Sequence, residues 1–180
     1  MKVLHIDDLP HYTYADYKLW EGKWELIEGI AYAMAPAPHI RHQRISNKIA
    51  WLLDEKLANC KHCTVLLPID WKVSDDTVVQ PDNLVICHEP DNDNYITRAP
   101  EIIFEILSKS TAHKDRNTKF KIYEAEGVNL YIVVDGDNNC AQVFQLKQGK
   151  YAKRAEVTSD TVHFEISSCE FDFEFAKIWE

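Results

Sequence analysis

Glycine is scarce in this 180-residue chain. Its five glycines form no phosphate-cradling G-x-G-x-x-G or G-x-x-x-x-G-K loop. No G-x-S-x-G element occurs either, so the sharp turn that exposes a hydrolase serine is missing. Long apolar runs are absent: none approaches the ~20 residues that span a bilayer, and no membrane partner is expected. The opening stretch "MKVLHIDDLPHYTY" is broken early by acids, unlike a secretory leader, so the cytoplasm is the expected location. Positive charge is in deficit. With 20 Lys and Arg against 29 Asp and Glu, the net charge is −9, a poor basis for strong sequence-independent binding to phosphates. Five cysteines are an odd number for a disulfide framework and suit a reducing compartment. The lone C-x-x-C, Cys60 to Cys63, has no second pair at zinc-site spacing, and zinc or redox chemistry is not expected of it. His39 and His42 lack an evident third ligand nearby.

What is present describes one domain over residues 1–180 with a substantial core. The apolar share is 46% and the charged share 27%, ordinary for a globular protein. "YADYKLWEGKWEL" opens with a short helical pattern, and "WELIEGIAYAMAP" reads as two short strands turning near Glu28-Gly29. From Arg41 to Leu57, Ile45, Ile49, Leu52, Leu53 and Leu57 repeat at helical spacing. Strands follow at "CTVLLPIDWKV", "TVVQPDNLVICH" and "PEIIFEIL", with a polar connection, "EPDNDNYITRA", before the third. In "STAHKDRNTKFKIYEAEGV", Ser110 or Thr111 can cap a helix whose stripe is Phe120, Ile122 and Tyr123 and whose end is Gly127. "NLYIVVDG" is a buried strand, "CAQVFQLKQGKYAKRAEV" a hairpin, and the tail adds a strand and a short helix. The pattern predicts a mixed α/β (α+β) domain, helices packed on a central sheet.

Two carboxylates stand out. In strand 101–107, Ile103, Glu105 and Leu107 share one face while Ile102, Phe104 and Ile106 share the other. Both faces are apolar except for Glu105, the mark of a central strand. In "VVQPDNLVI", Asp82 aligns with Leu84 and Ile86. A buried carboxylate must be neutralised or find a cation, and a divalent ion shared by both acids would do so, Mg²⁺ above all. Alternatively each acid pairs with its own Arg or Lys, or faces solvent at a strand end. Two segments depart from the acidic average: 39–48, with Arg41, Arg44 and Lys48 and no acid, and 109–121, with Lys109, Lys114, Arg116, Lys119 and Lys121 against Asp115. If they meet in space they create a local positive field; otherwise they are solvated helix faces.

"ELIEGIAYAMAPAPHIRHQRI", "VVQPDNLVI", "PEIIFEILSKST" and "KDRNTKFKIYEAEGVNLYIVVD" together resemble the Uma-two family, described as putative restriction endonucleases, a branch of the PD-(D/E)XK nuclease-like superfamily. The resemblance runs from about Glu25 to Asp135, in order and spacing. It implies a restriction-endonuclease-like core at about 25–135: a mixed central sheet flanked by helices, with an N-terminal hairpin and additional C-terminal strands. It implies Asp82 and Glu105 as metal ligands, with the backbone carbonyl of Ile106 as a third. The superfamily lysine would fall at Leu107, which is apolar. The family pattern instead places a lysine on the following helix, at Lys119, to orient water or offset phosphate charge; the competing role for Lys119 is an exposed partner of Asp115 at i, i+4. Glu25 is an acid of the family pattern, for a second metal or the polar network, or else a surface acid on a hairpin. His42 and Gln43 open the first long helix as auxiliary candidates near a phosphate.

The expected function is therefore a Mg²⁺- or Mn²⁺-dependent endonuclease that hydrolyses phosphodiester bonds of nucleic acid, DNA before RNA. Asp82, Glu105 and Lys119 are its catalytic set, and Arg41, Arg44, Lys48, Lys109, Lys114 and Arg116 attract the backbone. The core strands and the aromatic-rich tail are expected to leave apolar surface for a homodimer. The rival is a nuclease-fold binding module with little or no catalysis, favoured by the acidic remainder and the displaced lysine.

Overall fold

The computed structural model describes residues 10–34, 38–108, 115–167 and 169–180. A short helix, α1 (Tyr14–Tyr17), is opened by Thr13, whose N–H and hydroxyl both donate to the Asp16 carboxylate. The hairpin β1 (Trp24–Ile27) and β2 (Ile30–Ala33) turns through Glu28 and Gly29, with φ of 49° and 76°. α2 (Ile40–Leu57) buries Ile45, Ile49, Leu52, Leu53 and Leu57, the stripe that its periodicity predicts. Among the described residues, no helix is long and apolar enough to cross a membrane.

The two stretches that read as single strands each divide at a proline. Residues 63–73 become β3 (Thr64–Leu66) and β4 (Asp70–Lys72), separated by Pro68. Residues 77–88 become β5 (Val78–Val79) and β6 (Asn83–Ile86), separated by Pro81. In each case the halves join different sheets: β3 pairs with β6, and β4 with β5. Proline has no N–H with which to continue a ladder, and the chain uses both interruptions to cross from one sheet to the other.

The larger sheet also takes in β8 (Ile102–Ile106), β9 (Leu130–Asp135), β10 (Cys140–Lys147) and β11 (Lys150–Val157), in the order β11-β10-β9-β8-β6-β3. The smaller, completed by β7 (Tyr95–Ile96), runs β2-β1-β5-β4-β7. β8 is parallel to β9, antiparallel to β6, and buried along its whole length. Its faces feed two cores. Ile102, Phe104 and Ile106 pack with α2 and the C-terminal elements. Ile103 packs with Trp71 of the smaller sheet and with Tyr123 of α3 (Phe120–Glu126). Where a regular helix was expected before Phe120, residues Asp115–Lys119 form a wider π-helical turn. Gly127, at φ 85°, ends α3 as expected.

The tail holds two strands rather than one, β12 (Thr161–Ile166) and β13 (Cys169–Glu174), followed by a 3-10 turn (Phe175–Ile178). Phe164, Phe171, Phe173 and Phe175 are buried against α2 and β8. The aromatic tail thus covers the chain's own core. The cysteines also depart from expectation, because the end of α2, the end of β6 and the start of β13 meet: Cys60 is joined to Cys169 and Cys63 to Cys87. Cys140 stands outside both disulfides.

Candidate active site

The site begins with a gap in a ladder. The β6–β8 register pairs Asn83 with Phe104; one step further it sets Asp82 opposite Glu105, and opposed residues of an antiparallel pair project to the same face. The Leu107 N–H turns to Val134 in β9, so the N–H and C=O of Ile106 turn the other way, toward the β6 side. The residue that register places opposite Ile106 is Pro81, which has no N–H to give that carbonyl. The Ile106 N–H donates to Asp82 Oδ2 instead, at 2.8 Å. The same oxygen lies 3.2 Å from His42 Nε2 on α2, and the Asp82 side chain keeps 21% of its surface. Pro81 therefore leaves one carbonyl without a ladder donor and gives the neighbouring acid a backbone donor.

Glu105 is 2% exposed and Glu25 is 0% exposed, yet neither needs an ion to be buried. Lys119, itself 3% exposed, places Nζ 2.8 Å from Glu105 Oε1 and 2.9 Å from Glu25 Oε1. The ammonium also donates to the Gln80 carbonyl at 3.2 Å. The exposed-partner role for Lys119 is thus excluded by its burial: the wide turn before Phe120 carries it inward. Tyr123, one helical turn on, donates its hydroxyl to Glu105 Oε1 at 2.6 Å. Burial first, and the Glu105 charge second, push that phenol well above its usual range, so it stays a donor.

Gln80 and Tyr123 escaped sequence reasoning because neither is charged. The Gln80 N–H donates to Glu25 at 3.0 Å and its side chain donates to Asp70 at 2.6 Å. Asp70 also accepts from Tyr17, whose phenol is pushed up by burial and then by the Asp70 charge. The signal for Gln80 was its place before Pro-Asp, at the crossing between sheets. For Tyr123 it was the i, i+4 spacing from Lys119.

The other candidates scatter. Arg41 donates to the Gly136 carbonyl and to Asn139, Arg44 to the Glu180 carbonyl, and Gln43 to the Pro38 carbonyl. Lys48 lies a turn further along α2, partly buried. Lys121 lines a separate open groove of about 560 Å³ with Asn117, Thr118 and Glu28. Lys109, Lys114, Ser110 and Thr111 lie outside the described residues, as does the side chain of Arg116. From the two basic segments, His42 reaches Asp82 and Lys119 reaches Glu105.

The donor set fits a hard divalent cation. Two carboxylates on adjacent strands and a carbonyl with no ladder donor are oxygen ligands of the kind Mg²⁺ and Mn²⁺ take. Among the described residues, these acids and His42 do not form a three-ligand cluster closed to within 4.8 Å. An ion here would keep much of its water, as Mg²⁺ commonly does.

Three similarities bear on the arrangement. The model of the Uma-two family, described as putative restriction endonuclease, matches residues 14–169. An uncharacterized protein of Synechocystis sp. is 28% identical over 118 residues, which cover 63% of this chain and 66% of that protein. The crystal structure of a protein from Anabaena variabilis, described as a putative nuclease, superposes with a TM-score of 0.75 at 15% identity, covering 93% of this chain and 97% of the other.

Proposed function

This chain belongs to the Uma-two family of putative restriction endonucleases, and from that premise we propose that it hydrolyses phosphodiester bonds in nucleic acid, DNA rather than RNA, with Mg²⁺ or Mn²⁺. The observation that carries the proposal is the buried Lys119 ammonium, held between Glu25 and Glu105 beside the Asp82–Ile106 gap. A cation fixed by two carboxylates and a carbonyl is preorganised, and preorganised charge stabilises a transition state without reorganising during the reaction.

Asp82, Glu105 and the Ile106 carbonyl would hold the ion. Such an ion, when bound, lowers the pKa of its water and polarises the phosphoryl oxygens. The chain's own groups do the rest. Lys119 stands in for the lysine absent at Leu107 and offers its charge to a phosphoryl oxygen or to the attacking water. His42 and the Ile106 N–H fix Asp82 Oδ2, and Oδ1 would be the oxygen offered to the ion. Tyr123, Glu25 and Gln80 position Glu105 and Lys119. Lys48, Lys109, Lys114 and Arg116 serve as backbone contacts, joined by Arg41 and Arg44 when these exchange their carbonyl partners for phosphate. A homodimer could draw on exposed apolar residues such as Trp51 and Leu67, 54% and 57% exposed.

A second reading has its own observation. Lys119 already compensates Glu25 and Glu105, and the chain is acidic at −9, as suits a binding module in which the acids are structural. Calorimetric titration with Mn²⁺ and Mg²⁺, alongside cleavage assays on plasmid DNA and on RNA, separates the two. Wild type should bind an ion in the millimolar range or tighter and cleave DNA; Asp82→Asn and Glu105→Gln should lose both. A wild-type chain that binds no divalent ion at millimolar concentration and cleaves neither polymer is a module, not a nuclease.

A further inference from the structure

Away from the acids, four of the five cysteines converge on one spot at the edge of the larger sheet. Cys60 and Cys63 are bracketed by a tight turn, with the Cys63 N–H donating to the Cys60 carbonyl at 3.0 Å. The β3–β6 register, Thr64 with Ile86, continues by one step to set Cys63 beside Cys87. Cys169 opens β13, paired with Ile166 across the hairpin. All four are partly buried against the α2 side of the core. Here the sulfurs of Cys60, Cys63 and Cys169 all lie within 4.8 Å of one another, and Cys63 is bonded to Cys87. In a tetrahedral centre with Zn–S bonds near 2.3 Å, sulfurs stand about 3.8 Å apart.

We propose that in the reduced chain Cys60, Cys63, Cys87 and Cys169 form a structural zinc site. The C-x-x-C supplies one pair of ligands, as in zinc ribbons and related folds. The second pair is invisible at sequence spacing because it comes from two other elements, 24 residues beyond Cys63 and 109 beyond Cys60. Four thiolates fill the coordination sphere, so the site is closed and non-catalytic. It ties the end of α2 to β6 and to β13, the same three elements that the disulfides connect. Soft sulfur ligands select Zn²⁺ over the Mg²⁺ or Mn²⁺ suited to the acids. The two sites therefore do not compete for metal, and the zinc assignment does not depend on nuclease activity.

The test starts from full-length protein reduced with a water-soluble phosphine. Each disulfide takes up two electrons from the phosphine and two protons from water to give thiols, and the phosphine leaves as its oxide with the oxygen of that water; the thiols release their protons to buffer when metal binds. Zn²⁺ is then added, free metal is dialysed away, and bound metal is counted. Wild type should hold one zinc per chain. With Co²⁺ it should give the intense visible bands of a tetrahedral thiolate centre. Alkylation of the zinc form should modify Cys140 while sparing the other four. Cys87→Ser and Cys169→Ser should weaken binding by more than about 100-fold, beyond the loss of a merely supporting contact; Cys140→Ser and Glu105→Gln should bind as wild type does. If a serine variant fails to fold, the wild-type cobalt spectrum and alkylation pattern still decide. Reduced wild type that retains no zinc, shows no tetrahedral cobalt bands, or leaves all five thiols open to alkylation overturns the proposal.

Discussion

Replacing Lys119 with methionine removes the charge while keeping most of the aliphatic volume, and the structure sets the cost. The ammonium touches two carboxylate oxygens at 2.8 and 2.9 Å, and the acids that carry them are 2% and 0% exposed. At an effective dielectric near 20, each such attraction is worth about 4 kcal/mol at ~4 Å between charge centres. Desolvation of all three groups cancels much of that sum. What matters for the variant is what remains behind: two buried, mutually repelling carboxylates with no cation. Breaking a buried pair this way costs about 3–5 kcal/mol, a large part of a domain's typical margin of about 5–15 kcal/mol. In urea melts at neutral pH without metal, Lys119→Met should therefore lose about 3–5 kcal/mol. The deficit should shrink as pH falls, because burial without a cation favours the protonated acids. Millimolar Mg²⁺ should recover part of it, and DNA cleavage should fall by at least about 100-fold. A loss below about 1 kcal/mol, flat with pH, would mean that the ammonium is not the groups' principal compensation.

Two further expectations concern the fold itself. Tyr123 and Tyr151 are both pushed well above the ordinary phenol range, chiefly by burial. Their contribution to stability is complete below pH about 10; above it the unfolded chain ionises while the folded phenols keep their protons. Unfolding then releases protons, and stability should fall by up to about 1.4 kcal/mol per pH unit for each phenol. Chemical melts between pH 9 and 11 (about the phenol range) should show a shallower fall in Tyr151→Phe, and an unchanged slope would refute this. Phe104, 0% exposed on β8 and 5.3 Å from the Phe173 ring, joins the sheet to the C-terminal hairpin. Phe104→Ala should cost about 3–5 kcal/mol by the same melts. A cost near 1 kcal/mol would mean that the tail is not integral to the core.

Features governed by local periodicity were legible in the sequence. The α2 stripe is Ile45, Ile49, Leu52, Leu53 and Leu57, and β8 is an unbroken apolar run whose single acid breaks the pattern. Asp82 and Glu105 stood out because a charge in an apolar strand is costly. What could not be read depends on partners far along the chain. Pro68 and Pro81 announce interrupted ladders, but nothing local says that the halves enter different sheets. Gln80 and Tyr123 carry no charge and so raise no anomaly, although they position the charged groups. Cys60 and Cys63 looked like a pair without a counterpart because Cys87 and Cys169 come from separate strands.

Lys119 changes the expectation that a shared ion is what makes the two acids tolerable. Glu105 is compensated by the ammonium, and Asp82 by His42 and the Ile106 N–H. The fold therefore does not need an ion at these acids, unlike a zinc finger, whose folding free energy is its metal-binding free energy. An ion entering the gap must then compete with, or stand beside, an existing positive charge. On the proposed function such an ion should bind only modestly, and at a concentration 100 times its dissociation constant it would add only about 2.7 kcal/mol. Metal at the acids should consequently be visible in turnover more than in melting temperature. Metal at the four cysteines should show the reverse, stabilising the junction of α2, β6 and β13 with no direct effect on hydrolysis. A single chelation experiment read by both measures can assign each ion to its place.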